Sequence, residues 1–209
     1  MIAIIDYNAG NLRSVGKAFE NAGALCKATS LENEILNADA VVLPGVGAFK
    51  DCVNNLTERG LDVVVKKCID GGMPFLGICL GFQMLFDYSE ENHSGDSQVK
   101  GLGIFKGAVK QFSPDMGLKV PHMGWNSLDI IKDRPLFEGL PEKSFVYFVH
   151  SYYVDSEDRS LVSACTEYGV RFDAAVSRGK VHAVQFHPEK SGDIGQRIIH
   201  NFVKAVYSK

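Results

Sequence analysis

Five residues near the middle of the chain, Gly77-Ile78-Cys79-Leu80-Gly81, have the types and spacing of a nucleophile elbow. In that geometry a buried strand turns sharply into a helix. Small residues two before and two after the nucleophile let the backbone close tightly while its side chain stands exposed at the top of the sheet. The apolar run from Pro74 would be the strand, Phe82 to Phe86 the helix, and Cys79 the nucleophile. The start of the helix would direct unpaired N–H groups and a partial positive charge at the sulfur. A free cysteine in an apolar run is otherwise simply a small buried hydrophobe. The two glycines at elbow spacing bring the chemical reading level with the packing one, before the rest of the chain is read.

A cysteine nucleophile needs a base, and the base needs an orienting group. Gln185-Phe186-His187-Pro188-Glu189 offers both. Pro188 biases His187 towards an extended conformation, and residues two apart on an extended segment point the same way. Glu189 would then fix the imidazole tautomer, as the carboxylate of a hydrolase triad does. Surface loops contain such triplets by chance; here the triplet ends an apolar strand in a chain that also carries the elbow. The oxyanion formed on attack needs backbone donors. One is the N–H of Leu80, the residue after the nucleophile. Pro44-Gly45-Val46-Gly47 is the second source, through Val46 and Gly47, because glycines let a backbone turn its N–H groups inward. Taken alone, that stretch reads as an ordinary strand-ending turn.

The elements that must position these residues follow from the apolar pattern. Met1 to Ile5 reads as a buried strand and Leu12, Val15, Phe19 and Ala22 as one face of a helix ending at Gly23. Leu25 to Thr29 is a weaker strand and Asp39 to Leu43 a clearer one; Ala48 to Leu56 and Asp62 to Ile69 are helix-like. Fully apolar strands alternating with helices imply a parallel sheet covered on both faces, and the elbow sits where open α/β sheets place their sites, at a strand's C-terminal end. Ser89 to Gly101 is polar and reads as an exposed loop. Beyond it Gly103 to Phe112, Ser144 to Val154, Leu161 to Thr166, Val170 to Ser177 and Val181 to Phe186 read as strands with short connections, hence an antiparallel extension. Ile194 to Tyr207 closes the chain as a helix. The expected fold is α/β, with a mixed, mainly parallel central sheet flanked by helices and an antiparallel extension.

At 209 residues and 45% hydrophobic content the chain can bury one sizeable core, and residues 1–209 are expected to form one domain. A net charge of −3 without a basic tract gives no grip on a phosphate backbone, so nucleic acid is not an expected partner. Five widely spaced cysteines, Cys26, Cys52, Cys68, Cys79 and Cys165, without a C-x-x-C pair, argue against a disulfide framework or a metal site and for a reducing compartment. The N-terminus lacks a signal-peptide pattern and no apolar run is long enough for a membrane, so a soluble, cytoplasmic protein is expected.

Gly77-Ile-Cys-Leu-Gly-Phe-Gln83 together with Gln185-Phe-His-Pro-Glu189 closely resembles the class I glutamine amidotransferases. Asp6-Tyr-Asn-Ala-Gly-Asn11, Pro44-Gly-Val-Gly-Ala-Phe49, Pro121-His-Met-Gly-Trp-Asn126 and Tyr147-Phe-Val-His-Ser-Tyr152 narrow the resemblance to the glutaminase subunits of imidazole glycerol phosphate synthases. The resemblance implies glutamine hydrolysis through a Cys79 thioester, with His187 and Glu189 as partners and no cofactor. It implies that Gly45, Gln83, His150, Ser151 and Tyr152 hold the glutamine. It implies a (β/α)8-barrel cyclase as heterodimeric partner, receiving the ammonia to make imidazole glycerol phosphate and the carboxamide ribonucleotide of histidine biosynthesis. His122, Met123, Trp125, Asn126, Tyr147 and Lys190 match the face that meets this cyclase. From the side chains alone, Trp125 could equally be core and Lys190 a solvated charge. The competing readings are the glutaminase of another synthase, of the anthranilate or pyridoxal phosphate type, a non-catalytic regulatory subunit, and a cysteine peptidase.

Overall fold

A computed structural model describes residues 1–91, 98–131 and 135–208. The first half alternates strand and helix: β1 (Ile2–Ile5), α1 (Leu12–Asn21), β2 (Cys26–Thr29), α2 (Glu32–Leu36), β3 (Ala40–Leu43), α3 (Phe49–Glu58), α4 (Leu61–Asp70), β4 (Phe75–Ile78) and α5 (Leu80–Gln83). Short strands follow as β5 (Tyr88–Ser89), β6 (Val99–Lys100), β7 (Gly107–Gln111), β8 (His122–Ser127) and β9 (Asp129–Ile130). The chain then forms β10 (Phe145–His150), β11 (Tyr152–Ser156), β12 (Val162–Glu167), β13 (Arg171–Arg178), β14 (Val181–Val184) and α6 (Gly192–Tyr207).

The main sheet runs β2-β1-β3-β4-β14-β13-β11-β7-β5-β6, with β12 and β9 paired beside β13. From β2 to β14 all pairings are parallel; from β14 to β7 they are antiparallel. Side-chain alternation divides each parallel strand between two cores. Ala3, Ile5, Val41, Leu43 and Phe75 face α3 and α4 through Leu56, Val64, Val65 and Cys68. Ile2, Ile4, Val42, Leu76 and Ile78 face α1 and α6 through Val15, Phe19, Ile198, Ile199 and Phe202. Burial on both faces is why these strands are continuously apolar. The hairpin from β13 to β14 inserts the strand that leads to His187 next to β4, which leads into Cys79.

Four expectations need correction. The helix after the elbow is a single turn, Leu80–Gln83, and does not run on to Phe86, because Leu102 and Phe105 take up the backbone carbonyls of Met84 and Leu85. Ser144 to Val154 is not one strand: it breaks at Ser151, and β10 pairs with β8 in a separate two-stranded sheet while β11 joins the main one. Residues 122–127, read only as a motif, form β8, and α2 was not anticipated. The polar stretch from Ser89 is not simply exposed, since Ser89 and Glu91 are buried; His93 lies outside the described residues.

Close approach at the elbow dictates glycine. A Cβ on Gly81 would stand 1.8 Å from the Leu43 carbonyl oxygen, and one on Gly77 2.9 Å from that of Gly81. Gly81→Ala should therefore give insoluble protein or a loss of more than about 3 kcal/mol, whereas Gly16→Ala, in the interior of α1 with only van der Waals neighbours, should stabilise by about 0.5–1 kcal/mol. Thermal denaturation of the two variants checks both signs.

Candidate active site

Cys79 caps α5 with φ +55° and ψ −109°, a conformation that costs a non-glycine residue about 1–3 kcal/mol and persists only when its surroundings enforce it. Its N–H donates to the Val184 carbonyl at 2.8 Å, and its own carbonyl accepts from Phe82 and Gln83. The backbone is thus held from both sides of the turn. The side chain is 4% exposed, not the standing sulfur expected, and lies in a cavity of about 740 Å³. Burial pushes the Cys52 and Cys68 thiols up to about 11 and raises those of Cys26 and Cys165.

His187 lines the same cavity. Its Nδ1 is 2.7 Å from Glu189 Oε1, while its Nε2 and Glu189 Oε2 are buried without a hydrogen-bond partner among the described residues. The pair meets, but not through an extended segment: His187 is extended and Pro188–Lys190 is a 3₁₀ turn, which folds Glu189 back onto the ring. Burial opposes the imidazolium, yet the Cys79 sulfur and the Glu189 carboxylate outweigh it and lift the His187 pKa to about 9. Ser191, unnoticed in the sequence, fixes the backbone here. Its hydroxyl accepts from the Tyr147 N–H and donates to the His187 carbonyl, and the His187 N–H donates to the Tyr147 carbonyl.

The Pro44-to-Gly47 turn abuts the elbow. A Cβ on Gly45 would meet Leu80 Cβ at 2.7 Å. The Gly45 carbonyl accepts a long, 3.4 Å hydrogen bond from the Leu80 N–H. Tyr7 Oη donates to the Pro44 carbonyl and Cys52 Sγ to that of Val46. Val46 and Gly47 line the cavity, Gly47 at φ +102°.

Gln83, His150, Ser151 and Tyr152 also line it. A backbone carbonyl only accepts, so the Tyr152 oxygen fixes two donors: His150 Nδ1 and Gln83 Nε2, each at 2.8 Å. Burial drives the pKa of His150 down to about 3 and that of His122 to about 4, keeping both rings neutral. His150 Nε2 is consequently an acceptor, and the 3.0 Å contact to His122 Nδ1 makes His122 the donor. The His150 side chain therefore supports the cavity wall from behind. Glu91, hidden in the sequence because it stands within a polar stretch, supplies the only carboxylate among the described lining residues and accepts from the Phe49 N–H at the start of α3.

Of the residues expected on a partner face, Met123 (63% exposed), Trp125 (55%) and Lys190 are exposed, with Tyr147 half-buried between them. Trp125 meets the Tyr147 ring edge-on at 6.3 Å, and Lys190 Nζ stands 5.9 Å above it. Phe145, 55% exposed on β10, joins this side. His122 does not: alternation along β8 turns it inward, where it stacks between Phe148 and Tyr168. Asn126 is half-buried and donates to the Glu167 carbonyl. Among the described residues no His, Cys, Asp and Glu cluster is arranged for a metal ion, and no helix is long and apolar enough to cross a membrane.

Residues 3–206 match the family model for glutamine amidotransferase class-I. The chain is 52% identical over 207 residues to the imidazole glycerol phosphate synthase subunit HisH of Syntrophotalea carbinolica, covering 97% of this chain and 98% of that protein. It is 50% identical to the Methanocaldococcus jannaschii protein of the same name, covering 98% and 99%. In fold it is similar to a chain of PurLQS from Thermotoga maritima, with TM-score 0.76 at 20% identity over 98% and 97% of the two chains.

Since the imidazolium of His187 is present below about pH 9 and lost above it, a reaction that draws a proton from it should fall as pH rises through that value. Glu189→Gln removes a charge that raises this pKa, so its alkaline limb should move to lower pH. A pH–rate profile showing the same limb in both proteins would break the pairing.

Proposed function

Because this chain belongs to the class-I glutamine amidotransferase family, we propose that Cys79, His187 and Glu189 carry out glutamine hydrolysis in the 740 Å³ cavity. The chain acts as the glutaminase subunit of an imidazole glycerol phosphate synthase, in histidine biosynthesis. The observation that carries the residue assignment is the His187–Glu189 contact, which leaves Nε2 as the one free ring nitrogen in the cavity that also holds Cys79.

The Cys79 sulfur attacks the side-chain carboxamide carbon of glutamine, and the negative charge moves to the carboxamide oxygen. His187 Nε2 gives its proton to the nitrogen, the C–N bond breaks, and ammonia leaves a thioester. Neutral His187 then takes a proton from water as the hydroxyl attacks the thioester; glutamate departs and the sulfur is regenerated. Glu189 holds the ring throughout. In this reading Glu91 receives the α-ammonium group of glutamine. Gln83 has both Nε2 hydrogens committed, to Tyr152 and Gln185, so it offers the substrate only its Oε1. An intact Cys79–His187–Glu189 set disfavours a non-catalytic regulatory role.

The oxyanion site is only partly formed. The Leu80 N–H faces the Gly45 carbonyl, so this acceptor lies where the oxyanion would need a donor. Tyr7 and Cys52 hold the carbonyls on either side, leaving the Gly45–Val46 peptide as the unit that must turn. We assign that turn to the partner, a (β/α)8-barrel cyclase docking on Met123, Trp125, Tyr147 and Lys190 in a heterodimer. A glutaminase that waits for this signal does not release ammonia into solvent, where it would be protonated and lost.

Three outcomes test the reading. Cys79→Ala should abolish glutamine hydrolysis while keeping the fold, and a glutamine-like electrophile should label Cys79 alone, since burial keeps the other thiols protonated; activity in the alanine variant would end the assignment. Glu91→Gln should raise the KM for glutamine about tenfold or more with a smaller change in kcat, as expected for loss of one charged hydrogen bond. The isolated chain should turn over slowly, and the cyclase with its nucleotide ligand should raise the rate by at least about 100-fold, the worth of one oxyanion donor. Full activity without the cyclase would mark an independent hydrolase.

A further inference from the structure

Gln185 has no assigned role in the reaction, yet its side-chain amide lies against the nucleophile. It is fully buried at the end of β14, two residues before His187, and its Nε2 lies 3.9 Å from Cys79 Sγ. Amide nitrogen and oxygen are easily exchanged, so the orientation has to be derived. The Tyr152 carbonyl can only accept; the Gln83 atom facing it at 2.8 Å must be Nε2. The same nitrogen directs its second hydrogen at the Gln185 amide at 2.9 Å, so the Gln185 atom there must be Oε1. Its NH2 group is left pointing at the sulfur. The Tyr152 carbonyl is itself held by His150, so the order is enforced from outside the site inward.

We infer that Gln185 is a further residue of the glutaminase reaction, an N–H donor to the Cys79 sulfur whose direction is imposed by Gln83 and the Tyr152 carbonyl. Among the described residues the sulfur is the only acceptor its Nε2 meets. A buried amide N–H gains little from a neutral thiol at this distance and more from a sulfur bearing negative charge. That charge is present when Cys79 attacks and returns when the thioester collapses, so both halves of the reaction benefit. His187 serves the leaving group and the water; Gln185 serves the sulfur itself. An ordinary core glutamine would satisfy its amide against backbone or other polar groups, and this one does so only on its oxygen side.

The inference rests on the glutaminase reading above, and the test separates the two. Iodoacetamide alkylation of Cys79 is measured at one fixed pH, with melting temperature as a fold control and glutamine turnover alongside. Gln185→Met, similar in length and without a donor, should slow alkylation and kcat about tenfold each, the size of a lost hydrogen bond to a charged group, with a smaller change in KM and a melting temperature lowered only by the loss of the Gln83 hydrogen bond, the protein staying fully folded at the assay temperature. Gln185→Glu, nearly isosteric but bringing an anionic acceptor to the sulfur, should slow both further. Gln83→Met leaves Gln185 in place without its orienting donor, and should slow alkylation even if neither Gln185 variant folds. Wild-type alkylation and kcat in folded Gln185→Met overturn the role of Gln185 while the Cys79 assignment stands. Loss of melting temperature in parallel with alkylation in every variant assigns the residue to packing and overturns it as well. A wild-type protein that alkylates readily but does not hydrolyse glutamine even with the cyclase overturns the glutaminase reading instead.

Discussion

The backbone at Gly81 passes so near the end of β3 that a side chain there would overlap the Leu43 carbonyl, and most of the site's geometry follows from this contact. It draws the first turn of α5 onto the end of the neighbouring strand, which tightens the turn out of β4 until Cys79 adopts a positive φ. The same approach brings Leu80 against Gly45, so the elbow and the Pro44-to-Gly47 turn share a surface with no room for a side chain between them. Strain at Cys79 is held by the hydrogen bond to Val184 on one side and by the α5 turn on the other. Because β14 supplies that bond and also leads to Gln185 and His187, the strand pairing itself sets the spacing of sulfur, amide and imidazole.

A second constraint comes from β10. Its residue Tyr147 exchanges backbone hydrogen bonds with His187 directly and through Ser191, while its ring is part of the exposed cluster with Trp125 and Lys190. Three residues later His150 anchors the carbonyl that orders Gln83. A single strand therefore carries an outer aromatic face and an inner set of supports for the catalytic groups. Under the docking proposed above, a load on the aromatic face would pass to His187 through backbone and not through flexible side chains. Splitting the apolar stretch at Ser151 is what allows this, because β10 is released from the main sheet to pair with β8.

Much of this was legible in the sequence. The parallel strands announce themselves by unbroken apolar runs, since burial on both faces admits nothing else, and the elbow by two glycines that no other residue can replace. Cys79, His187 and Glu189 stand out by type and spacing, and the chain does bring Cys79 and His187 to one cavity with Glu189 on the imidazole, although through a 3₁₀ turn and not an extended segment. What was hidden depends on contacts between distant segments. Glu91 stands near the start of a polar stretch and is a buried cavity carboxylate that accepts from the N–H at the start of α3. His122 stands in a motif beside exposed residues and turns inward because strand alternation makes it do so. An apolar run such as Ser144 to Val154 specifies extended backbone but carries no mark of which sheet each half will join. The polarity of the Gln185 amide is of the same kind: it is set by Tyr152, through Gln83, and not by any neighbour in sequence.

The polar atoms left without partners are as informative as those that have them. Among the described residues the buried side-chain atoms in this position are His187 Nε2 and Glu189 Oε2, and an unsatisfied buried group of this kind costs about 1–3 kcal/mol. Elsewhere the interior is closed by complete pairings: Asn201 donates to two carbonyls, and Asp173 takes two hydrogen bonds from Arg159 and one from the Ser156 N–H. Among the described residues, the unmet side-chain hydrogen bonding thus falls on the His187–Glu189 pair. His187 Nε2 faces the cavity that also holds the Cys79 sulfur, which with the Glu189 carboxylate raises the imidazole pKa. In the proposed reaction the proton held there passes to the leaving nitrogen, and the rigid elbow, the parallel sheet and β10 hold the ring where it can do so.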